Sequence, residues 1–158
     1  MKPNLYNKSF LGMAFLQSIT IIAILFGCGG DPEPTLTEIE KVTNLLTDNG
    51  GNWQPASSSG VTIDGVDVTT DLFPSFTITF LDNTLTTTGT SPVWLRQDTW
   101  RFKDQTAKVI IRGQDNKEIT ITEISATQLK LTLEWEQTTT DGGRQYSLKG
   151  KHEFVLIK

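Results

Sequence analysis

Residues 128–135 read Gln-Leu-Lys-Leu-Thr-Leu-Glu-Trp. Leu129, Leu131, Leu133 and Trp135 alternate with Lys130, Thr132 and Glu134. A period of two lines the four apolar side chains along one face of an extended chain, whereas a helix would scatter them around its axis. One dry face and one wet face mark an antiparallel strand. The same period recurs on both sides of this stretch. Phe76, Ile78 and Phe80 alternate with Thr77 and Thr79, Trp100 and Phe102 with Thr99 and Arg101, and Ile119 and Ile121 with Thr120 and Thr122. Tyr146, Leu148, Phe154 and Leu156 share one face of the last run.

Turn-forming residues separate these runs: Asp82-Asn83, Lys103-Asp104-Gln105, Gly113 to Asn116, Ser125-Ala126 and Asp141-Gly142-Gly143. Their close spacing predicts hairpin after hairpin. The chain's 24 threonines suit such strands, because a branched side chain packs well on a pleated surface. About eight strands with one apolar face each must curl to hide that face and their edges. The expected fold is all-β, an antiparallel up-and-down meander that forms a barrel or a strongly rolled sheet.

Residues 35–47 carry the one helical pattern. Thr35 with Glu38 three residues on predicts a capping box. Leu36, Ile39, Val42, Leu45 and Leu46 then gather on one side, and Asn49-Gly50-Gly51 stops the helix. No helical crossover is expected after residue 50, so parallel pairing is not expected either.

The N-terminus reads differently. Residues 1–27 hold Lys2, Lys8 and no acid, and residues 10–27 are mostly apolar, interrupted by Gln17, Ser18 and Thr20. A charged start and a short apolar stretch before a small residue fit a secretory signal better than a membrane span, which needs about 20 apolar residues. Leu25-Phe26-Gly27-Cys28 resembles the lipobox of bacterial lipoproteins. In that family the signal is cut before the cysteine, whose sulfur receives a diacylglycerol. The resemblance implies a signal peptide over 1–27, lipidation at Cys28, a tether over 28–34 and a folded domain over 35–158. It further implies a lipid-anchored place in the bacterial cell envelope, on the outer membrane. Two or three acyl chains, at about 0.8 kcal/mol per buried CH2, hold a protein on a bilayer where one chain would not.

Cys28 is the only cysteine, so no intramolecular disulfide can form and the fold must stand on its core. Without residues 1–27, twelve basic residues face eighteen acidic ones, a net charge of −6. That argues against nucleic-acid binding, which requires a clustered basic surface.

Gly51-Asn52-Trp53 resembles the Gly-x-Trp that opens the first strand of lipocalins after a short helix. The order that follows resembles the lipocalin-like domains of envelope lipoproteins: a strand ending at Asp82-Asn83, the strand Thr99-Trp100-Arg101-Phe102, an Ile/Thr strand and a closing Phe154-Val155-Leu156. The likeness implies a small barrel that holds an apolar ligand. In lipocalins a basic residue of the last strand covers the first-strand tryptophan, and Arg144, Lys149 and Lys151 are the candidates here.

Catalytic sets are missing. His152 is the only histidine, no Gly-x-Ser-x-Gly elbow exists, and one histidine does not build a zinc site. Asp64-Gly65-Val66-Asp67 with Asp71 lacks the ligand spacing of a calcium loop and reads as a hairpin turn. No enzyme, metal or cofactor is expected, and a carboxylate-based hydrolase is the one enzymatic class the residue types leave open.

The candidate ligand contacts are Trp94, Trp100, Trp135, Tyr146 and His152. Trp100 and Trp135 fall in phase with core positions. His152 shares a face with Leu148 and Phe154. Trp94, in Ser91-Pro92-Val93-Trp94, falls between strands, where a ring either stacks on a ligand or folds onto the core. The expected function is a non-enzymatic envelope module that binds a small apolar molecule or a glycan. The alternative is an adaptor that holds an envelope protein on the barrel surface, since an eight-stranded barrel can be filled with its own side chains.

Overall fold

The computed structural model describes residues 35–137, 140–141, 144–145 and 149–158. The leader, Cys28, the tether and Tyr146 lie outside these residues.

The chain enters through helix α1 (Glu38–Thr47), whose capping box is built on Thr37 and Glu40. The Glu40 N–H donates to Thr37 Oγ1 at 3.2 Å, and Thr37 N–H donates to Glu40 Oε2 at 2.7 Å. The box therefore sits two residues beyond the Thr35/Glu38 pair expected from sequence. Both pairs fit the local pattern. Tertiary packing decides between them, because α1 buries Val42 and Leu46 one turn apart and leaves Leu36 outside, 48% exposed. Thr37→Ala removes the cap and is expected to cost about 1 kcal/mol, read as a lower urea midpoint at unchanged slope.

A 3-10 turn, Asp48–Gly51, follows, with Asn49, Gly50 and Gly51 at positive φ. Gly51 is obligatory for a second reason. A Cβ there would lie 2.0 Å from the Phe80 carbonyl oxygen.

The strands are β1 (Asn52–Pro55), β2 (Val61–Ile63), β3 (Val66–Asp67), β4 (Thr77–Phe80), β5 (Thr84–Thr88) and β6 (Gln97–Phe102). They continue with β7 (Val109–Arg112), β8 (Glu118–Ile124), β9 (Gln128–Trp135), β10 (Thr140–Asp141), β11 (Arg144–Gln145) and β12 (Gly150–Ile157). Every pairing described is antiparallel. Around the ring the order is β1-β4-β5-β6-β7-β8-β9-β12, and β12 pairs back onto β1. This is a closed eight-stranded up-and-down barrel, as the hairpin pattern predicts. The strands β10 and β11 form a small separate hairpin. One turn of helix, α2 (Thr69–Leu72), interrupts the β3–β4 connection. It departs from the expectation of no helix after residue 50, but it is a single turn and introduces no parallel pairing.

The inward faces are apolar and filled. Trp53, Phe80, Leu85, Ile110, Ile119, Leu129 and Leu156 have no exposed surface. Trp53 Nε1–H donates to the Leu46 carbonyl at 3.0 Å, and Lys158 Nζ stands 4.5 Å from the Trp53 ring centroid. The same ammonium donates to the Leu45 and Asp48 carbonyls at 3.1 and 2.8 Å, tying the chain's end to α1. The basic cover over Trp53 is thus Lys158, not Lys149 or Lys151. The Arg144 side chain lies outside the description.

Helix α1 stands at the end of the barrel that carries the β4–β5, β6–β7 and β8–β9 turns. The opposite end, called the mouth below, carries the segment 56–76, the β5–β6 loop, the β7–β8 turn, the end of β9 and the start of β12.

Candidate functional site

The wall is incomplete at the mouth. Strand β1 pairs with β4 only through Asn52–Thr79 and Trp53–Ile78. Beyond Pro55 the chain bulges out and returns as β2, pairing with β12 at Val61–Phe154. The bulge is held by Ala56 N–H to Val155 O and by Val155 N–H to Gly60 O. Gly60 makes it possible, since a Cβ there would lie 2.5 Å from the Ala56 carbonyl oxygen. Strand β4 meanwhile begins at Thr77, so β2 and β4 leave a seam between them.

The segment from Asp67 to Phe76 fills that seam. Asp67 Oδ1 accepts from the Thr69 N–H and hydroxyl at 2.9 and 2.6 Å, which turns the chain into α2. Thr69 Oγ1 accepts from Val61 N–H, fastening the segment to β2. The segment then drives Phe73 and Phe76 inward, at 1% and 2% exposure. Phe73 meets Phe154 edge-on, with centroids 5.4 Å apart, and Phe76 at 5.6 Å. Trp94 arrives from the β5–β6 loop, where Ser91 Oγ accepts from the Val93 and Trp94 N–H groups. Its ring lies inside, 5.6 Å from Phe154, and is only 5% exposed. Of the two positions open to Trp94 from sequence, the structure therefore shows the inward one. The mouth half of the interior is thus occupied by three aromatic rings carried on connections rather than on strands.

A cleft of about 360 Å³ opens over this seam, lined by Gln54 to Ser57, Thr69, Thr70 and Phe73 to Phe76. None of its lining residues is ionisable. Phenylalanine and proline form its apolar part, while hydroxyls and one amide provide hydrogen-bonding groups.

Polar side chains ring the inner wall near the mouth: Thr87 on β5, Asp98 on β6, Arg112 on β7 and His152 on β12, all buried. His152 stacks on Phe154 at 6.3 Å and meets Phe73 edge-on at 6.4 Å. Arg112 has no exposed surface. Its guanidinium donates through Nε to Asp115 Oδ1 at 3.1 Å, through Nη2 to Asp115 Oδ2, and through Nη1 to the Val93 carbonyl. The rings of Trp94 and Trp135 approach the same guanidinium at 5.5 and 5.8 Å, and Lys117 Nζ lies 5.6 Å from the Trp135 centroid. One buried cation thus ties β7, the β7–β8 turn, the β5–β6 loop and β9 together.

Burial alone would push the Asp115 carboxyl up. The Arg112 hydrogen bond, the Lys117 backbone N–H and the charges of Arg112 and Lys117 outweigh it, and the carboxyl lies below its ordinary value. The stabilisation is complete above the unfolded carboxylate value, near pH 4, and is lost as pH falls through the lower folded value. Hydrogen bonds lower Asp67, Asp104 and Glu40 in the same direction. Stability measured by urea titration is therefore expected to fall as pH drops below about 4, less steeply in Asp115→Asn.

The sequence-derived candidates separate. Trp94, Trp135 and His152 meet at the mouth. Trp100 does not join them, because its Nε1–H is held between the Leu81 and Thr84 carbonyls at 2.9 and 3.1 Å, toward the α1 end. Tyr146 lies outside the described residues. Reading the sequence misses Arg112, Asp98 and Phe73, and it places Phe76 on an inward face without singling it out. Asp98 carries a usable signal, since it falls in phase with Trp100, where a charge is costly unless partnered; Arg112 ends the unbroken apolar run Val-Ile-Ile, which gives it no phase. Phe73 carries none, because a connection has no period to read. Among the described residues no three histidine, cysteine or carboxylate side chains cluster as metal ligands, and no helix is long and apolar enough to cross a membrane.

Compared with known protein families, curated proteins and solved structures, the chain matches none of them.

Proposed function

We propose that this chain is a lipid-anchored envelope protein, held by acyl chains on Cys28, whose barrel binds a small apolar molecule at its mouth without chemical turnover. The observation that carries this reading is the mouth itself. Phe73, Phe76 and Trp94 fill ligand-sized space, and they sit on connections that can move without breaking a strand. Beside them lies a cleft in the volume range of small-molecule sites, at its lower end. Inside, rigid strands supply an apolar floor that stays in place when the rings withdraw.

Two measurements test it. Native mass spectrometry of the full chain, expressed in a bacterium that modifies lipoproteins, should find residues 28–158 with added acyl mass; an unmodified Cys28 or a retained leader removes the anchor. Displacement of a fluorescent apolar dye should reveal one saturable site. Phe73→Ala, which frees volume at the mouth, should raise its affinity. No binding by wild type or by this variant removes the ligand.

The filled interior supports a second reading, an adaptor that grips an envelope protein with its outer surface. Crosslinking from exposed loop positions such as Val66 in intact cells would give one discrete partner under that reading and none under the first.

A further inference from the structure

Every residue that lines the cleft over the seam comes from one stretch of chain, residues 54–76. That stretch carries no cation. From Val42 to Leu95 the sequence has no lysine, arginine or histidine, while Asp48, Asp64, Asp67, Asp71 and Asp82 fall within it. The two acids that flank the lining residues Thr69 and Thr70 are engaged. Asp67 accepts from Thr69 through Oδ1 and from the Ser59 N–H through Oδ2 at 3.2 Å, and Asp71 Oδ1 accepts from the Thr70 hydroxyl at 3.4 Å. On the neighbouring strand β12, the Lys151 ammonium is paired with Glu153 at 2.6 Å, and that of Lys158 is held by carbonyls at the α1 end. The cleft thus offers a ligand no counter-charge of either sign.

It does offer neutral hydrogen-bonding groups. Gln54 and Ser57 come from β1 and the bulge after it, and Ser75 from the approach to β4; all three are exposed and line the cleft. None of their side chains makes a hydrogen bond to another described residue. Ser75 is fixed in place: its φ is 54°, and Gly89 packs so closely on its carbonyl that a Cβ there would lie 2.1 Å from the oxygen. Phe73, Phe76, Pro55 and Pro74 make the lining largely apolar.

Only some chemistry suits such a lining. A carboxylate or phosphate head would bring a charge with no cation to meet it, into the field of the surrounding acids. An ammonium head would find no carboxylate in contact. A hydroxyl carries no charge and both donates and accepts, as do the amide of Gln54 and the hydroxyls of Ser57 and Ser75.

We infer that the cleft takes an uncharged amphiphile with a hydroxylated head, which Gln54, Ser57 and Ser75 hold while its hydrocarbon lies against Phe73 and Phe76. This rests on the ligand reading above and names the head group that the cleft selects.

Four probes of one acyl or alkyl length separate the two claims: monooctanoylglycerol, methyl octanoate, octanoate and octylammonium, each titrated into the full chain at pH 7 against the fluorescent apolar dye. Monooctanoylglycerol should bind tightest, about tenfold ahead of methyl octanoate, the worth of one or two matched hydrogen bonds. Gln54→Leu with Ser57→Ala should bring it down to methyl octanoate, whose own binding stays unchanged and reports an intact fold. Gln54→Arg should raise octanoate affinity by about tenfold, because it supplies the missing cation. If neither the dye nor any probe binds, both claims fall. If the dye binds and no probe displaces it, or if methyl octanoate matches monooctanoylglycerol, the head group falls while the ligand reading stands. If octanoate or octylammonium binds best to the wild type, the cleft selects a charge and the head group assigned here is wrong.

Discussion

Trp53→Ala is expected to lower stability by about 3–5 kcal/mol, measured as a shift in urea midpoint, and to leave little folded protein at 37 °C. The ring has no exposed surface, its N–H satisfies the Leu46 carbonyl at the end of α1, and Lys158 covers its face. Truncation opens a cavity where α1, the first strand and the chain's last residue meet. Two milder variants apportion the loss. Trp53→Phe keeps an aromatic face but strands the buried Leu46 carbonyl, at about 1–3 kcal/mol. Lys158→Met keeps most of the stem and removes the cation over the ring, at about 0.5–2 kcal/mol. A Trp53→Ala domain as stable as wild type would mean that α1 is not fastened to the barrel through this ring.

Asp115→Ala is expected to destabilise by about 3–5 kcal/mol, although Asp115 itself is on a turn and one-third exposed. The loss comes from its partner. Arg112 is wholly buried, and without Asp115 its guanidinium keeps only the Val93 carbonyl and the rings of Trp94 and Trp135. A buried cation stripped of its counter-charge costs more than the ion pair contributes over an apolar pair of similar size. The double variant Arg112→Met with Asp115→Ala should therefore recover most of the loss, within about 1–2 kcal/mol of wild type. A double variant that sums the two single losses would show that Arg112 acts by packing alone. If Asp115→Ala is neutral, the guanidinium has found another partner.

These two positions differ in how far they can be read from sequence. Trp53 is legible. It follows the glycines that end a helix, in the Gly-x-Trp whose resemblance to the lipocalin opening implies a covered ring. Asp115 reads only as a turn residue, in Gly-Gln-Asp-Asn. Its weight depends on Arg112 pointing inward, and a lone arginine in Val-Ile-Ile-Arg sits equally well at a strand end facing water. The helix cap shows the same limit. Thr35/Glu38 and Thr37/Glu40 satisfy one local rule, and burial of Val42 and Leu46 selects the second.

By itself the sequence determined the main period-two strands, the turns between them, the antiparallel hairpin order, the N-terminal helix and the curling of the sheet toward a barrel. Each of these follows from local periodicity and from the need to hide one apolar face per strand. Only the tertiary structure decided that the wall parts between β2 and β4, that Phe73 and Trp94 join Phe76 in filling the mouth, that Lys158 covers Trp53, and that Arg112 faces inward. Those features arise between segments as far apart as residues 53 and 158, and a side chain's neighbours across such distances leave no trace in the pattern of either segment alone.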